Sequence, residues 1–429
     1  MPLWIVAHSD ALCNFLLPLL VELNSSQQRH ALNVVAALLV CTRLKHRTLA
    51  ALTRVLRVPH ADHFACADFL RTSGWSAERV QQAMMLFLLQ TVTQIQRLTG
   101  WRLLFLSLDD ALAPKDVATT ALEAVTFHHD HVEQRRQKKH YTNASRYVSL
   151  HMQLGPVQFT LAWRLYLSRK QVQRLNRARR NTDQPRLTYH SLVELAEAML
   201  DDIAPHLPSA CRVYVLFDSW YDGRHLEHVI QSHGWHWICA TKSNRVVHDR
   251  SLSQWWTHLG QQRITSVVVR STTRSRRYAT RRVEGRLRRY PEPVVAIISK
   301  QARRDRHPAY FLCSDTALSI RTILKYYGYR WQAEVDNWYL KERFGLADYR
   351  VQSYEAILRW HTLVFAAYAF LQYRRVVPLL RNPKATLTDL PEVLAAHQHA
   401  HLRQTVCYIA TLARRGLSDT KILADLMPT

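Results

Sequence analysis

Glycine is scarce in this chain, with 10 among 429 residues, while hydrophobic residues make up 48%. A chain of that composition packs a core and is not disordered. Seven cysteines are scattered as Cys13, Cys41, Cys66, Cys211, Cys239, Cys313 and Cys407. They are odd in number and never paired as Cys-x2-Cys, which speaks against a zinc site and against a disulfide framework. They read as small buried hydrophobes of a reducing cytosol. No apolar run is long enough to span a membrane; Val34 to Cys41 is far too short. The basic start and cleavage pattern of a signal peptide are missing from the first residues. Internal repeats and low-complexity tails are missing as well. A cytoplasmic protein with no membrane partner is expected.

Acids are also in short supply. Only 33 Asp and Glu face 58 Lys and Arg, for a net charge of +25. So much charge of one sign repels itself in a compact state, and nucleic acid is the polyanionic partner that accounts for it. A membrane-surface role would explain the charge and nothing else. The length suffices for two or three domains and a large core.

Hydrophobic periodicity divides the chain. Residues 1–98 repeat apolar positions at helical spacing, as in Leu32, Val35, Leu38 and Leu39, with basic residues (Arg43, Lys45, His46, Arg47, Arg54, Arg57) between the repeats. An N-terminal helical DNA-binding domain is expected there. Leu103 to Leu108 then reads as a buried strand, followed by strands over Tyr147 to Leu154 and Phe159 to Leu167 with Gly155-Pro156 as the turn. A helix over Leu192 to Ile203, a strand Val213 to Phe217 and another His236 to Thr241 complete a β-β-β-α-β-α-β order. That is the order of a ribonuclease-H-like mixed sheet, so the fold class is α/β. Residues 99–245 form its first part. Residues 246–308 read as a β-rich insertion, rich in arginine, residues 309–378 as the second part of the core, and 379–429 as a C-terminal helical region.

Three groups of residues carry chemistry. Asp109 and Asp110 end a buried strand, where a carboxylate is costly unless it meets a cation or a partner. Asp218 follows a second apolar strand directly, at the carboxyl edge of the sheet. The third group lies on one helix, from about Ser319 to Phe344. There Tyr327, Arg330, Glu334 and Lys341 fall within roughly a 60° arc. Trp331, Val335 and Trp338 lie beside that arc and are expected to anchor the helix to the sheet. The cluster His128-His129-Asp130-His131 does not converge well on one ion, and its basic neighbours (Arg135, Arg136, Lys138, Lys139) suit a DNA-facing loop.

The spacing Tyr-x2-Arg-x3-Glu-x6-Lys resembles the YREK signature of insertion-sequence DDE transposases. LSLDDALAPK resembles the first-aspartate block of that superfamily and FDSWYDG the second, so the likeness covers residues 100 to 375. Ala111 departs from the usual threonine, and a glycine usual near Lys115 is missing. Strand alternation alone leaves Asp109 and Asp110 open; the resemblance maps the catalytic aspartate to Asp110.

The resemblance implies a cut-and-paste DNA transposase of the bacterial nucleoid. Asp110, Asp218 and Glu334 would hold two Mg2+ ions, with Mn2+ as a substitute, roughly 3.5–4 Å apart across a scissile phosphodiester. Tyr327, Arg330 and Lys341 would grip phosphates near the transposon end, extended by Lys242, Asn244 and Arg245. Tyr310 matches the position of an aromatic that stacks an extruded base. Double-stranded DNA, as terminal inverted repeats and target, is the implied partner, with a homodimer in the synaptic complex. Two rivals stand beside this reading: a ribonuclease-H-like nuclease or resolvase, and a domesticated protein that only binds DNA.

Overall fold

The computed structural model describes residues 4–58, 61–130, 140–259, 264–270, 275–288, 290–301 and 307–426. His131, Arg135, Arg136, Lys138 and Lys139 lie outside them.

Five helices open the chain: α1 (Asp10–Leu16), α2 (Ser25–Val40), α3 (Leu49–Thr53), α4 (His63–Arg71) and α5 (Ala77–Thr99). Their starts are written locally. Asn24 and Gln27 form a capping box on α2, and Thr48, Asp62 and Ser76 cap α3, α4 and α5. Strands β1 (Leu103–Pro114), β2 (Thr126–His129), β3 (Tyr141–Leu154) and β4 (Val157–Tyr166) follow. Gly155 turns β3 into β4 at φ +57°, and a Cβ there would meet the Trp101 ring at 2.8 Å. Then come α6 (Arg169–Ala178), α7 (Leu192–Ile203), β5 (Arg212–Phe217), α8 (Arg224–Ser232), β6 (His236–Thr241), the short pair β7 (Val246–Val247) and β8 (Arg250–Ser251), and α9 (Leu252–His258). Strands β9 (Thr265–Arg270), β10 (Ser275–Arg286), β11 (Pro293–Lys300) and β12 (Ala309–Cys313) precede α10 (Ile320–Gly328), α11 (Trp331–Trp338), α12 (Tyr354–Arg381), α13 (Leu390–Arg414) and α14 (Asp419–Leu426).

One sheet gathers ten strands in the order β2-β3-β1-β5-β6-β12-β11-β10-β9, with β4 also paired to β3. Strands β1, β5 and β6 run parallel at its centre, and β3 pairs antiparallel to β1. This mixed sheet with flanking helices is the ribonuclease-H-like α/β fold expected from the order of elements. The arginine-rich strands β9 to β11 add to the same sheet through β12, which pairs antiparallel to β6.

The N-terminal helices share the main core. Leu38, Leu88 and Leu89 pack in one cluster with Leu150 of β3 and Leu363 of α12. Two of the basic residues between those helices are structural. Arg47 is buried, paired to Asp348 at 3.2 Å and bonded to the carbonyls of Thr42 and Glu342. Arg57 donates to the Leu426 carbonyl at 2.7 Å.

Among the described residues, α12 is long and apolar enough to cross a membrane, which the reading of apolar runs did not detect. Of its most apolar window, 67% is buried within the protein. A core helix packed by α2, α5 and β4 needs apolar residues nearly all round.

Candidate active site

The register of β1 and β5 orders the acids. Phe105 pairs with Tyr214 and Ser107 with Leu216. Parallel partners share a face, so carrying the register two residues on sets Asp109 beside Asp218. Phe105, Tyr214 and Leu216 pack under Tyr326 and Tyr329, so this face is the one that the segment after β12 covers. Asp110, one residue on, turns to the opposite face.

The expected single helix from Ser319 to Phe344 is broken. Helix α10 ends at Gly328, α11 starts at Trp331, and Tyr339–Arg343 form a π-helical turn. Gly328 is a poor helix former, and the chain tightens after it: Tyr329 N–H bonds the Tyr326 carbonyl and Arg330 N–H that of Tyr327. Tyr327 therefore belongs to α10, Arg330 to the joint, Glu334 to α11 and Lys341 to the π turn. One uninterrupted arc does not describe them.

Arg330 is the hub. Its Nη1 donates to Asp109 Oδ1 at 3.3 Å, its Nη2 donates to Glu334 Oε1, and it lies 5.9 Å from the Tyr327 ring. Asn337 Nδ2 holds the other Asp109 oxygen at 3.0 Å. Burial raises the Asp109 carboxyl to about 6, against the pull of Arg330, and Asp110 and Asp218 add repulsion. On the opposite face Arg146 donates to Asp110 Oδ2 from both Nε and Nη2, each at 2.8 Å, and the Tyr221 hydroxyl donates to Oδ1 at 3.3 Å. Burial raises the Asp110 carboxyl too, while Arg146 opposes the rise. Asp218 accepts the Trp220 backbone N–H at 2.9 Å. Asp109 of β1 and Glu334 of α11 thus share Arg330 at one end of the sheet's parallel centre, and Asp218, just past β5, is near enough to repel Asp109.

The tryptophans do not anchor α11. Trp331 is 65% exposed and Trp338 45%. The helix turns Ala333, Asp336 and Asn337 inward, because the strand beneath presents Tyr147, Ser149 and His151 at alternate positions. A polar strip of sheet takes a polar helix face, and the large rings go outside.

The remaining expected contacts are spread along the same side of the fold. Lys242 and Asn244 are exposed in the turn after β6. Arg245 is engaged inside the protein: it donates to buried Glu227 at 2.6 Å and lies 3.5 Å from Asp222. Burial lifts the Glu227 carboxyl to about 7 despite that arginine. Tyr310, half-buried on β12, pairs with Thr241 of β6 and Ile298 of β11 and packs at the edge of the main core. Arg146, Tyr221 and Asn337 were not singled out in the sequence. The alternation Arg146-x-Val148-x-Leu150 against Tyr147-x-Ser149-x-His151 was the available signal.

Comparison with known families comes to the same region. Residues 18–294, well over half of the chain, match the family model described as DDE superfamily endonuclease. The chain belongs to that family. The match covers the β1 pair and Asp218 and stops short of Glu334. No curated protein matches the sequence.

Proposed function

We propose that this DDE superfamily endonuclease is a transposase that cleaves transposon ends and joins them to target DNA. What supports the reading is one observation. Asp109 and Glu334, 225 positions apart, share the Arg330 guanidinium beside Asp218. Families of this kind generally use divalent ions such as Mg2+.

The donor set fits such an ion in kind: Asp109, Asp110, Asp218 and Glu334 offer only hard oxygen ligands. Among the described residues, no three acidic, histidine or cysteine side chains stand close enough to hold an ion as they are. Two guanidiniums supply the positive charge instead, Arg330 between Asp109 and Glu334 and Arg146 on Asp110. Asp110, Asp218 and Glu334 would hold two Mg2+ ions, or Mn2+, once those arginines yield. Such ions would supply activation of water or a 3′-hydroxyl and stabilisation of the leaving oxygen. Geometry favours a second version in which Asp109 replaces Asp110, since Asp109 shares the face of Asp218 and Glu334.

A released Arg330 would turn to phosphate, joined by Lys341, Tyr327, Lys242 and Asn244, and these contacts position DNA without reading it. Arg245 would act at one remove, holding the Lys242–Arg245 turn through Glu227. Tyr310 would support an unstacked base. Terminal inverted repeats, target DNA and a synaptic homodimer complete the reading, in the bacterial cytoplasm.

The test uses intact ends for cleavage, and pre-cut ends with a target plasmid for joining. Wild type should join them, and Asp218→Ala should neither cleave nor join while binding DNA at least as tightly. Cleavage without joining by wild type would make the protein a nuclease instead. Equal loss of binding and cleavage in Asp218→Ala would make Asp218 a residue of the fold.

A further inference from the structure

A buried chain of hydrogen bonds runs from the core to the candidate site. It starts at Asp336, which is 0% exposed and, among the described residues, makes no hydrogen bond or ion pair with an arginine or lysine, though Arg375 acts on it at longer range. An unpaired buried carboxylate is costly, and here four donors surround it. Gln332 Nε2 and the Tyr368 hydroxyl donate to Oδ1 at 2.8 and 2.7 Å. His151 Nδ1 lies 2.9 Å and Thr160 Oγ1 3.3 Å from Oδ2. A carboxylate only accepts, so Nδ1 carries the proton that faces it.

The chain continues upward along β3. His151 Nε2 is 2.9 Å from Ser149 Oγ, which is 3.4 Å from Asn337 Oδ1. The Tyr147 hydroxyl donates to that same Oδ1 at 3.0 Å. The amide is thereby oriented with its NH2 toward Asp109 Oδ2, 3.0 Å away. Asp109 in turn meets Arg330, and Arg330 meets Glu334. Residues 147, 149 and 151 lie on the β3 face that pairs with Ala111, Asp109 and Ser107, under α11. Asp336 and Asn337 sit two and three residues past Glu334, so whatever fixes them on the sheet fixes Glu334.

We propose that Asn337, oriented by Tyr147, and the His151–Asp336 pair are positioning residues of the ion site: they lock α11 on β3 and aim the Asp109 carboxylate toward Glu334. The inference rests on the version of the two-ion reading above in which Asp109 is the ligand. Polar groups behind metal ligands commonly change metal affinity by about 10–100-fold when removed. Asn337 and the pair behind it hold that position for Asp109 and for the helix that carries Glu334.

The test is Mn2+ binding to the full-length protein without DNA, read by calorimetry and by the loss of the free Mn2+ resonance signal. Asn337→Ala should bind Mn2+ about 10-fold or more weakly, and should still unfold cooperatively in metal-free buffer at a lowered melting temperature, because the buried Tyr147 hydroxyl loses its acceptor. Cleavage by that variant should recover as Mn2+ is raised. Tyr147→Phe, which deletes only the hydroxyl orienting the amide, should weaken binding by a smaller factor. It also serves if Asn337→Ala does not fold. His151→Gln should act in the same direction as Asn337→Ala. Wild-type affinity in folded Asn337→Ala and Tyr147→Phe would overturn the positioning role and leave the two-ion reading standing. No Mn2+ binding by wild type would overturn both.

Discussion

Arg330 Nη1 stands 3.3 Å from Asp109 Oδ1, joining the break between two helices to the end of a strand 221 positions earlier. The same guanidinium bonds Glu334, so one cation balances two partly buried acids. Breaking a buried ion pair from one side strands the other partner. Arg330→Ala should therefore lower stability in metal-free buffer, by less than the roughly 3 kcal/mol of a fully buried pair, because Glu334 is 36% exposed and screened by solvent. Added Mg2+ should raise the melting temperature of the variant more than that of wild type, because the ion replaces the lost charge. Thermal unfolding with and without Mg2+ checks this. Equal Mg2+ shifts in both proteins would mean that Arg330 does not occupy the place of an ion.

Trp331 and Trp338, on the helix that carries Glu334, cover little of the core and leave much of their rings open to solvent. Replacing either by alanine should leave the melting temperature unchanged. Stacking of a base on an aromatic is worth about 1–3 kcal/mol, so binding of DNA with a single-stranded end should weaken roughly five-fold or more for Trp331→Ala. Titration with blunt and frayed duplexes separates this from a general loss of affinity. A destabilised Trp331→Ala protein with normal DNA binding would contradict the exposed position.

Lys115 gives a dependence on pH. Its Nζ donates to the carbonyls of Ala347 and Tyr349 and lies 3.4 Å over the Tyr349 ring. Burial pushes its pKa down to about 7, whereas an unfolded lysine titrates near ~10.4. Between those values the unfolded chain holds a proton that the folded chain has released, so stability from this site rises with pH across the window and is lost as pH falls through about 7. In chemical unfolding, wild type should gain stability relative to Lys115→Met from about pH 7 to 10. A flat difference would mean that Lys115 stays charged in its carbonyl cradle.

Elements with a clear apolar pattern were legible: the buried strand His236 to Thr241 and the amphipathic helix Leu192 to Ile203 are observed with the expected bounds. Asp218 stood out for the same reason, as an acid directly after such a run. The break after Gly328 was hidden, because each half keeps helical periodicity. The exposure of Trp331 was hidden as well: burial of Asp336 depends on His151, 185 positions away, and no local pattern in either segment reports the other. Arg245 looked like one more DNA contact until Glu227 of α8 was seen to hold it. Within the β1 pair, sequence likeness points to Asp110 and geometry to Asp109, because a one-residue step along a strand changes the face and nothing local reveals which face α11 covers.

The convergence of remote carboxylates on divalent ions is tested most directly by soaking crystals of the full chain in Mn2+ and computing an anomalous difference map. The account predicts a peak between the β1 pair, Asp218 and Glu334, with Arg330 turned out of its bond to Glu334. The side of β1 on which the peak lies identifies Asp109 or Asp110 as the ligand. A map without a peak there at saturating Mn2+, with Arg330 still bonded to Asp109 and Glu334, would contradict it.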